Sequence, residues 1–206
     1  GRMVAQFEHY FSRKPRRQPQ LGTVTLRFQG RKLDLLTSPG VFSYDAVDKG
    51  TLLLIDEMRV PDRGLVLDLG CGYGAMAVCA SQRGATVVGV DVNERAAWLA
   101  SMNLRRHATG PWLVVVGDLY SPFASRFDAI LCNPPIRAGR EIVAEIIRLA
   151  RKYLRDEGSL QLVARTRMGA RALSSLMQQS FGNLEEIGRR SGYRVLLSRR
   201  RGGRVD

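Results

Sequence analysis

Leu65-Val66-Leu67-Asp68-Leu69 runs straight into Gly70-Cys71-Gly72-Tyr73-Gly74, and the apolar segment Ala75–Gln82 follows at once. A five-residue strand, a turn of three glycines and a helix joined without a linker form the first half of a strand–helix–strand unit. Glycine lets the backbone turn tightly and approach a ligand that a side chain would keep away. The helix start beyond it presents free N–H groups to a carboxylate or phosphate. This junction points to an open sheet covered by helices, with a ligand at the carboxyl ends of the strands; a glycine turn that holds no ligand is the alternative.

The rest of the chain repeats the alternation. After the glycine loop the pattern predicts strands at Thr86–Val92, Trp112–Val116, Phe127–Cys132 and Ser159–Ala164. Helices are expected at Glu94–His107, Glu141–Leu154 and Ala170–Phe181, the second with Ile142, Ile146, Leu149 and Tyr153 on one stripe. Strands alternating with helices imply a mostly parallel, doubly wound α/β sheet. Leu184–Gly188 and Tyr193–Ser198 are joined by so few residues that they must pair antiparallel. Upstream, Thr23–Phe28 and Lys32–Leu36 alternate around Gln29-Gly30 as a hairpin, and Val47, Leu52, Ile55 and Met58 recur at helical spacing. The expected organisation is 1–63 as a basic arm, hairpin and lead-in helix, and 64–206 as the ligand-binding domain.

Cysteine and histidine usage narrows the chemistry. Cys71, Cys79 and Cys132 are an odd number without CxxC spacing, and only His9 and His107 accompany them, so neither a disulfide framework nor a metal site is expected. Residues 1–17 are polar and basic without an apolar middle, and no apolar run reaches the roughly 18 residues of a membrane span. Together these suggest the cytoplasm. The net charge is +13. Residues 1–63 carry 11 basic and 7 acidic side chains, residues 64–136 five of each, and residues 137–206 carry 16 and 7. A neutral middle between basic ends suits a polyanion gripped by its phosphates around a neutral site. A merely solvated basic surface is the competing explanation.

The glycine loop fits two cofactors. Read as Gly70-x-Gly72-x-x-Ala75, with Asp91 following 21 residues after Gly70, it matches a dinucleotide fingerprint. Asp68 favours another ligand, because a carboxylate at the end of a buried strand needs a partner. The ammonium of S-adenosylmethionine (SAM) would supply one. Asp91, after Val87–Val90, would then take the ribose hydroxyls, and Asp118, after Val114–Gly117, the adenine amine. Any one of these acids alone could as well cap a helix.

The fourth strand of this series runs into Asn133-Pro134-Pro135-Ile136. Two prolines fix φ and remove two backbone donors, leaving acceptors: the Asn133 side-chain oxygen and the Pro134 carbonyl. A rigid acceptor pair suits an exocyclic amine, which has two hydrogens to donate; a plain strand-end turn is the alternative.

Asp68–Gly74, Asp91, Asp118 and Asn133–Ile136 resemble the successive motifs of class I SAM-dependent methyltransferases acting on amino nitrogens. The chain is more closely similar to the RsmC-type guanine-N2 methyltransferases of small-subunit ribosomal RNA. His9–Pro15, Gly40–Tyr44, Asp48–Thr51, Asn133–Gly139 and Gly192–Leu196 carry that likeness over nearly the whole chain. The resemblance implies a Rossmann-like fold and methyl transfer from SAM, with S-adenosylhomocysteine as product. Asn133 and Pro134 would be catalytic. Phe42, Asp68, Gly70, Gly72, Gly74, Asp91 and Asp118 would hold the cofactor. Pro135, Ile136, Arg13, Lys14, Arg16 and Arg17 would meet the RNA. Two features depart from the pattern: Ile136 stands where many amino methyltransferases stack an aromatic ring on the base, and the two-domain members' degenerate second copy of the fold is not found in this chain. Adenine N6, a protein glutamine amide, and a silent RNA-binding or ribosome-assembly role are the rival expectations.

Overall fold

Val66, Leu67, Val87, Val90, Ile130 and Leu131 are each 1% exposed or less. Since successive side chains of a strand point to opposite faces, such strands require cover on both sides. The computed structural model, which describes residues 20–43, 45–135 and 139–202, supplies it. The order along the chain is β1 (Gly22–Phe28), β2 (Arg31–Thr37), α1 (Lys49–Glu57), β3 (Leu65–Leu69), α2 (Ala75–Gln82), β4 (Thr86–Asp91), α3 (Glu94–His107) and β5 (Trp112–Val116). It continues with β6 (Phe127–Cys132), α4 (Arg140–Ala150), β7 (Leu154–Arg165), α5 (Ala170–Phe181), β8 (Glu185–Arg190) and β9 (Tyr193–Arg199). The main sheet runs β5-β4-β3-β6-β7-β9-β8, parallel from β5 to β7, with β9 antiparallel to both its neighbours.

One face, with Val66, Val87, Ala129 and Val163, packs against α1, α2 and α3. The other, with Leu67, Val90, Ile130 and Leu162, packs against α4 and α5. The hairpin β1–β2 buries Val24, Leu26, Phe28, Leu33 and Leu35 in the first of these cores. Asn103, on α3 and 1% exposed, holds it there. Its Oδ1 accepts from Leu36 N–H at 2.8 Å, and its Nδ2 donates to the carbonyls of Leu36 and Tyr73 at 3.0 and 2.7 Å.

The expected strands and helices are present, with shifted ends. The helix expected to reach Leu154 stops at Ala150, and Arg151–Tyr153 form a 3₁₀ turn. Its buried stripe is Val143, Ile146, Ile147 and Ala150, with Ile142 and Leu149 at the margins. Tyr153 has left the helix and stacks on Tyr120, their rings 4.7 Å apart. β7 starts at Leu154 rather than Ser159, because buried Leu154 already pairs with Phe127 before the register shifts. β4 ends at Asp91, leaving Val92 67% exposed. The last hairpin turns at Ser191-Gly192, both at positive φ (53° and 81°), as tight two-residue hairpin turns require.

Candidate active site

The glycine loop leaves β3 beside β4. Gly70 and Cys71 N–H both donate to the Val90 carbonyl, at 2.8 and 2.9 Å. Asp91 closes the next contact: its Oδ2 accepts from Gly72 N–H and its Oδ1 from Asn93 N–H, each at 2.9 Å. Gly70 and Gly72 sit at φ +71° and +54°, and a Cβ on either would meet nothing within 4 Å. Their bare faces thus look onto open space, where a ligand could lie directly against backbone. Gly74 differs, because a Cβ there would come 3.1 Å from Ala100 of α3. Its missing side chain serves helix packing, and its N–H is taken by the Cys71 carbonyl at 2.9 Å.

Asp68 also has an internal role. It shares its sheet face with Val66, toward α2, where its Oδ2 accepts from Ala77 N–H at 3.0 Å. The residue is 1% exposed, so the direct ammonium pair expected from the sequence has almost no carboxylate surface to meet; the internal partner is a backbone N–H in the first turn of α2. Its Oδ1 is buried without a partner. Burial pushes the carboxyl up to about 7, and nearby Asp91 adds to the rise, against the Ala77 hydrogen bond.

Asp118 is exposed just beyond β5, where Gly117 N–H donates to the Asp91 carbonyl at 3.0 Å. Phe42 is 70% exposed. Its neighbour Ser43 accepts at its carbonyl from Tyr73 Oη at 3.1 Å, which ties the Phe42 segment to the glycine loop. Asp91, Asp118, Phe42, Gly70 and Gly72 therefore gather at one corner of the sheet.

Asn133 adjoins this corner. Leu69 lies opposite Cys132 in the parallel β3–β6 pair, so Gly70 and Asn133 leave neighbouring strands at the same level. Asn133 Nδ2 donates to Asp48 Oδ2 at 2.9 Å and to Thr51 Oγ1 at 3.0 Å. A carboxylate only accepts, so this contact fixes the amide nitrogen toward α1 and leaves Oδ1 available as an acceptor. Asp48 also caps α1, its Oδ2 accepting from Thr51 N–H at 3.2 Å. Pro134 is buried and Pro135 exposed. Gly50 completes the cluster: a Cβ there would lie 3.0 Å from both Asp48 Oδ2 and the Tyr193 ring. Asp48, Thr51 and Tyr193 belong to segments that the sequence singles out without a role; only their convergence on Asn133 and Gly50 reveals one. Ile136, Arg13, Lys14, Arg16 and Arg17 lie outside the described residues.

Among the described residues no group of three or more His, Cys, Asp or Glu is placed to hold a metal, and no helix is long and apolar enough to cross a membrane. The three cysteines are unpaired and buried, and burial raises each thiol, Cys79 to about 12, so none is a ready nucleophile.

Residues 32–197 match the methyltransferase small domain family. YbxB of Bacillus subtilis, an uncharacterized protein, is 31% identical over 198 residues, covering 94% of this chain and 98% of that one. The ribosomal RNA small subunit methyltransferase C of Actinobacillus succinogenes is 31% identical over 196 residues, covering 91% of this chain and 58% of its own. The structure of the T. thermophilus 16S rRNA N2 methyltransferase RsmC, in complex with AdoMet and guanosine, superposes with a TM-score of 0.80 at 27% identity, covering 90% of this chain and 52% of that one. This chain thus spans about half the length of these two ribosomal RNA methyltransferases. The resemblance read from the motifs holds at the level of sequence, fold and family, and the chain belongs to the methyltransferase small domain family.

Proposed function

We propose that this domain transfers a methyl group from SAM to the exocyclic N2 amine of a guanine in RNA, with small-subunit ribosomal RNA as the substrate. The observation that carries the reading is the Asn133 amide, turned by Asp48 and Thr51 so that its oxygen is left to accept. With Oδ1 and the Pro134 carbonyl taking the two amine hydrogens, the base is held by its reacting nitrogen. SAM supplies an already activated methyl group, so the protein's share of the work is positioning and exclusion of other geometries. The open faces of Gly70 and Gly72 fit a cofactor lying on backbone, and the free lone pairs of Asp91 suit ribose hydroxyls. Asp68 supports this cradle from beneath, its Oδ2 accepting from Ala77 N–H at the start of α2.

The net charge of +13 supports a nucleic acid over a protein acceptor, and the RsmC relatives support guanine over adenine. The arm around Arg13–Arg17 is assigned to RNA on charge alone. The test is incubation with methyl-labelled SAM and unmodified small-subunit ribosomal RNA, naked or assembled, followed by nucleoside analysis. Labelled N2-methylguanosine is expected. N6-methyladenosine, label in a protein glutamine, or no transfer despite SAM binding would overturn the assignment.

A further inference from the structure

We infer that residues 165–171, from the last residue of β7 through the loop that follows to the first turn of α5, are the surface that grips the RNA strand beside the target nucleotide; the inference rests on the RNA reading above. Its position follows from register. Cys132 of β6 lies opposite Leu162 of β7. While β6 gives way to Asn133-Pro134-Pro135, β7 runs three residues further to Arg165, about 10 Å at ~3.3 Å per residue. The loop therefore stands beside and beyond the acceptor loop at the same end of the sheet. Two side chains link them. Arg165 Nε donates to Tyr193 Oη at 3.2 Å, with the guanidinium 5.5 Å from the ring centroid, and that ring packs on Gly50 beside Asp48. Thr166 N–H donates to the Gly192 carbonyl at 2.8 Å, pinning the start of the loop to the last hairpin.

Charge identifies the occupant. From Glu157 to Glu185 the chain has no other acidic residue, and its three cations in that span are Arg165, Arg167 and Arg171. All three are exposed, and among the described residues none has a carboxylate partner. Elsewhere in the C-terminal third, Arg155, Arg189, Arg190 and Arg200 are engaged by Asp128, Glu186, Asp56 and Asp156. Three uncompensated guanidiniums within seven residues, next to a site for a base, match successive phosphates of a strand whose base is turned into the site. Met168, 60% exposed among them, adds an apolar contact for a neighbouring unstacked base.

The test uses the full chain, a fluorescent fragment of small-subunit ribosomal RNA, and SAM alone. R167Q/R171Q changes two exposed side chains without ion-pair partners, so the fold should be kept; R165Q/R167Q/R171Q extends it. The slope of log K against log salt should fall by about 0.7 for each phosphate of a single strand that the variant no longer neutralises. RNA half-saturation should rise about tenfold in the triple variant; in R167Q/R171Q, which keeps the Arg165–Tyr193 contact, SAM affinity and the single-turnover rate at saturating RNA should be unchanged. A parent that binds RNA with a salt slope that both variants retain would overturn the docking surface and leave the RNA reading intact. A parent that neither binds nor methylates RNA would overturn both. Loss of SAM affinity in step with RNA affinity, or a preference for an acidic protein segment over RNA, would also reject the inference.

Discussion

At the ends of β3 and β4 the chain is held by backbone groups close in sequence. Gly72 N–H meets Asp91, 19 positions on, and Ala77 N–H meets Asp68, nine positions back. At the end of β6 the reacting group is held by side chains from far away, because Asn133 depends on Asp48 and Thr51, 85 and 82 positions earlier. One half of the site is thus shaped by its own loop, and the other by the docking of α1 against β7 and β9. The cofactor half should keep its shape when α1 is perturbed. The acceptor half should lose its chemistry first.

The largest expected effect tests how the cofactor half is braced. Asp68 has its carboxyl pushed up to about 7 from 3.8, chiefly by burial. A folded-state value above the unfolded one means that its contribution to stability is present below pH 4 and lost as the pH rises through about 7. At about 1.4 kcal/mol per unit, the change is roughly 4 kcal/mol. Comparing Asp68→Asn with the parent in urea at pH 4 and pH 8 isolates this group, since the variant lacks the titration. The variant should gain on the parent as the pH rises. An unchanged difference between the two pH values would mean that the carboxylate is already compensated, and the orphaned Oδ1 with it.

Next in size is Asn133→Ala, which removes the amine acceptor. The single-turnover rate should fall on the order of 100-fold, the scale for losing one oriented hydrogen bond in a transition state, while SAM affinity stays nearly constant. Parallel losses in rate and SAM affinity would move Asn133 into the cofactor half and erase the division.

The same division explains what the sequence makes legible. The strand ends, the glycine loop and Asp91 are readable because they follow one another within a strand–helix repeat whose geometry is local. Asp68 is legible and its partner is not: burial demands a pairing, and a backbone N–H supplies part of it before any ligand does. Gly74 looks like its neighbours in the motif, yet its reason is Ala100, a contact between helices that spacing does not reveal. The end of α4 is misread from periodicity because Leu154 is apolar in both a helix stripe and a strand, and pairing with Phe127 decides it. Asp48 lies in a noted segment, but a helix-capping acid announces nothing about an asparagine 85 residues later.

Asp91→Ala ranks third. Its carboxylate ties Gly72 and Asn93 and is proposed to hold the ribose hydroxyls, so calorimetry should give a loss of about 1.5–3 kcal/mol in SAM binding. Asp91→Asn, which keeps acceptor capacity at one of the two atoms, should lose less. Equal affinity for all three proteins would confine Asp91 to the turn.

The smallest effect bears most directly on the comparison, since Asp48 touches the acceptor half alone. Asp48→Ala removes the acceptor that fixes Asn133 Nδ2 and the cap on Thr51 N–H together. Loss of the cap alone costs about 1 kcal/mol of stability. Freed from the carboxylate, the amide can rotate and present Nδ2 instead of Oδ1 to the substrate, so a fraction of molecules would offer a donor to an amine that needs an acceptor. A rate loss of about tenfold, equivalent to roughly 1.4 kcal/mol, is expected with SAM affinity unchanged. Asp48→Asn separates the two roles. Asparagine caps helices about as well as aspartate, so stability should return. It keeps one oxygen for Asn133 Nδ2 but brings a donor of its own, so the rate should recover only in part. If both variants turn over at the parent rate while Asp48→Ala is less stable, Asp48 is a helix cap and nothing more, and Asn133 is oriented by Thr51 alone.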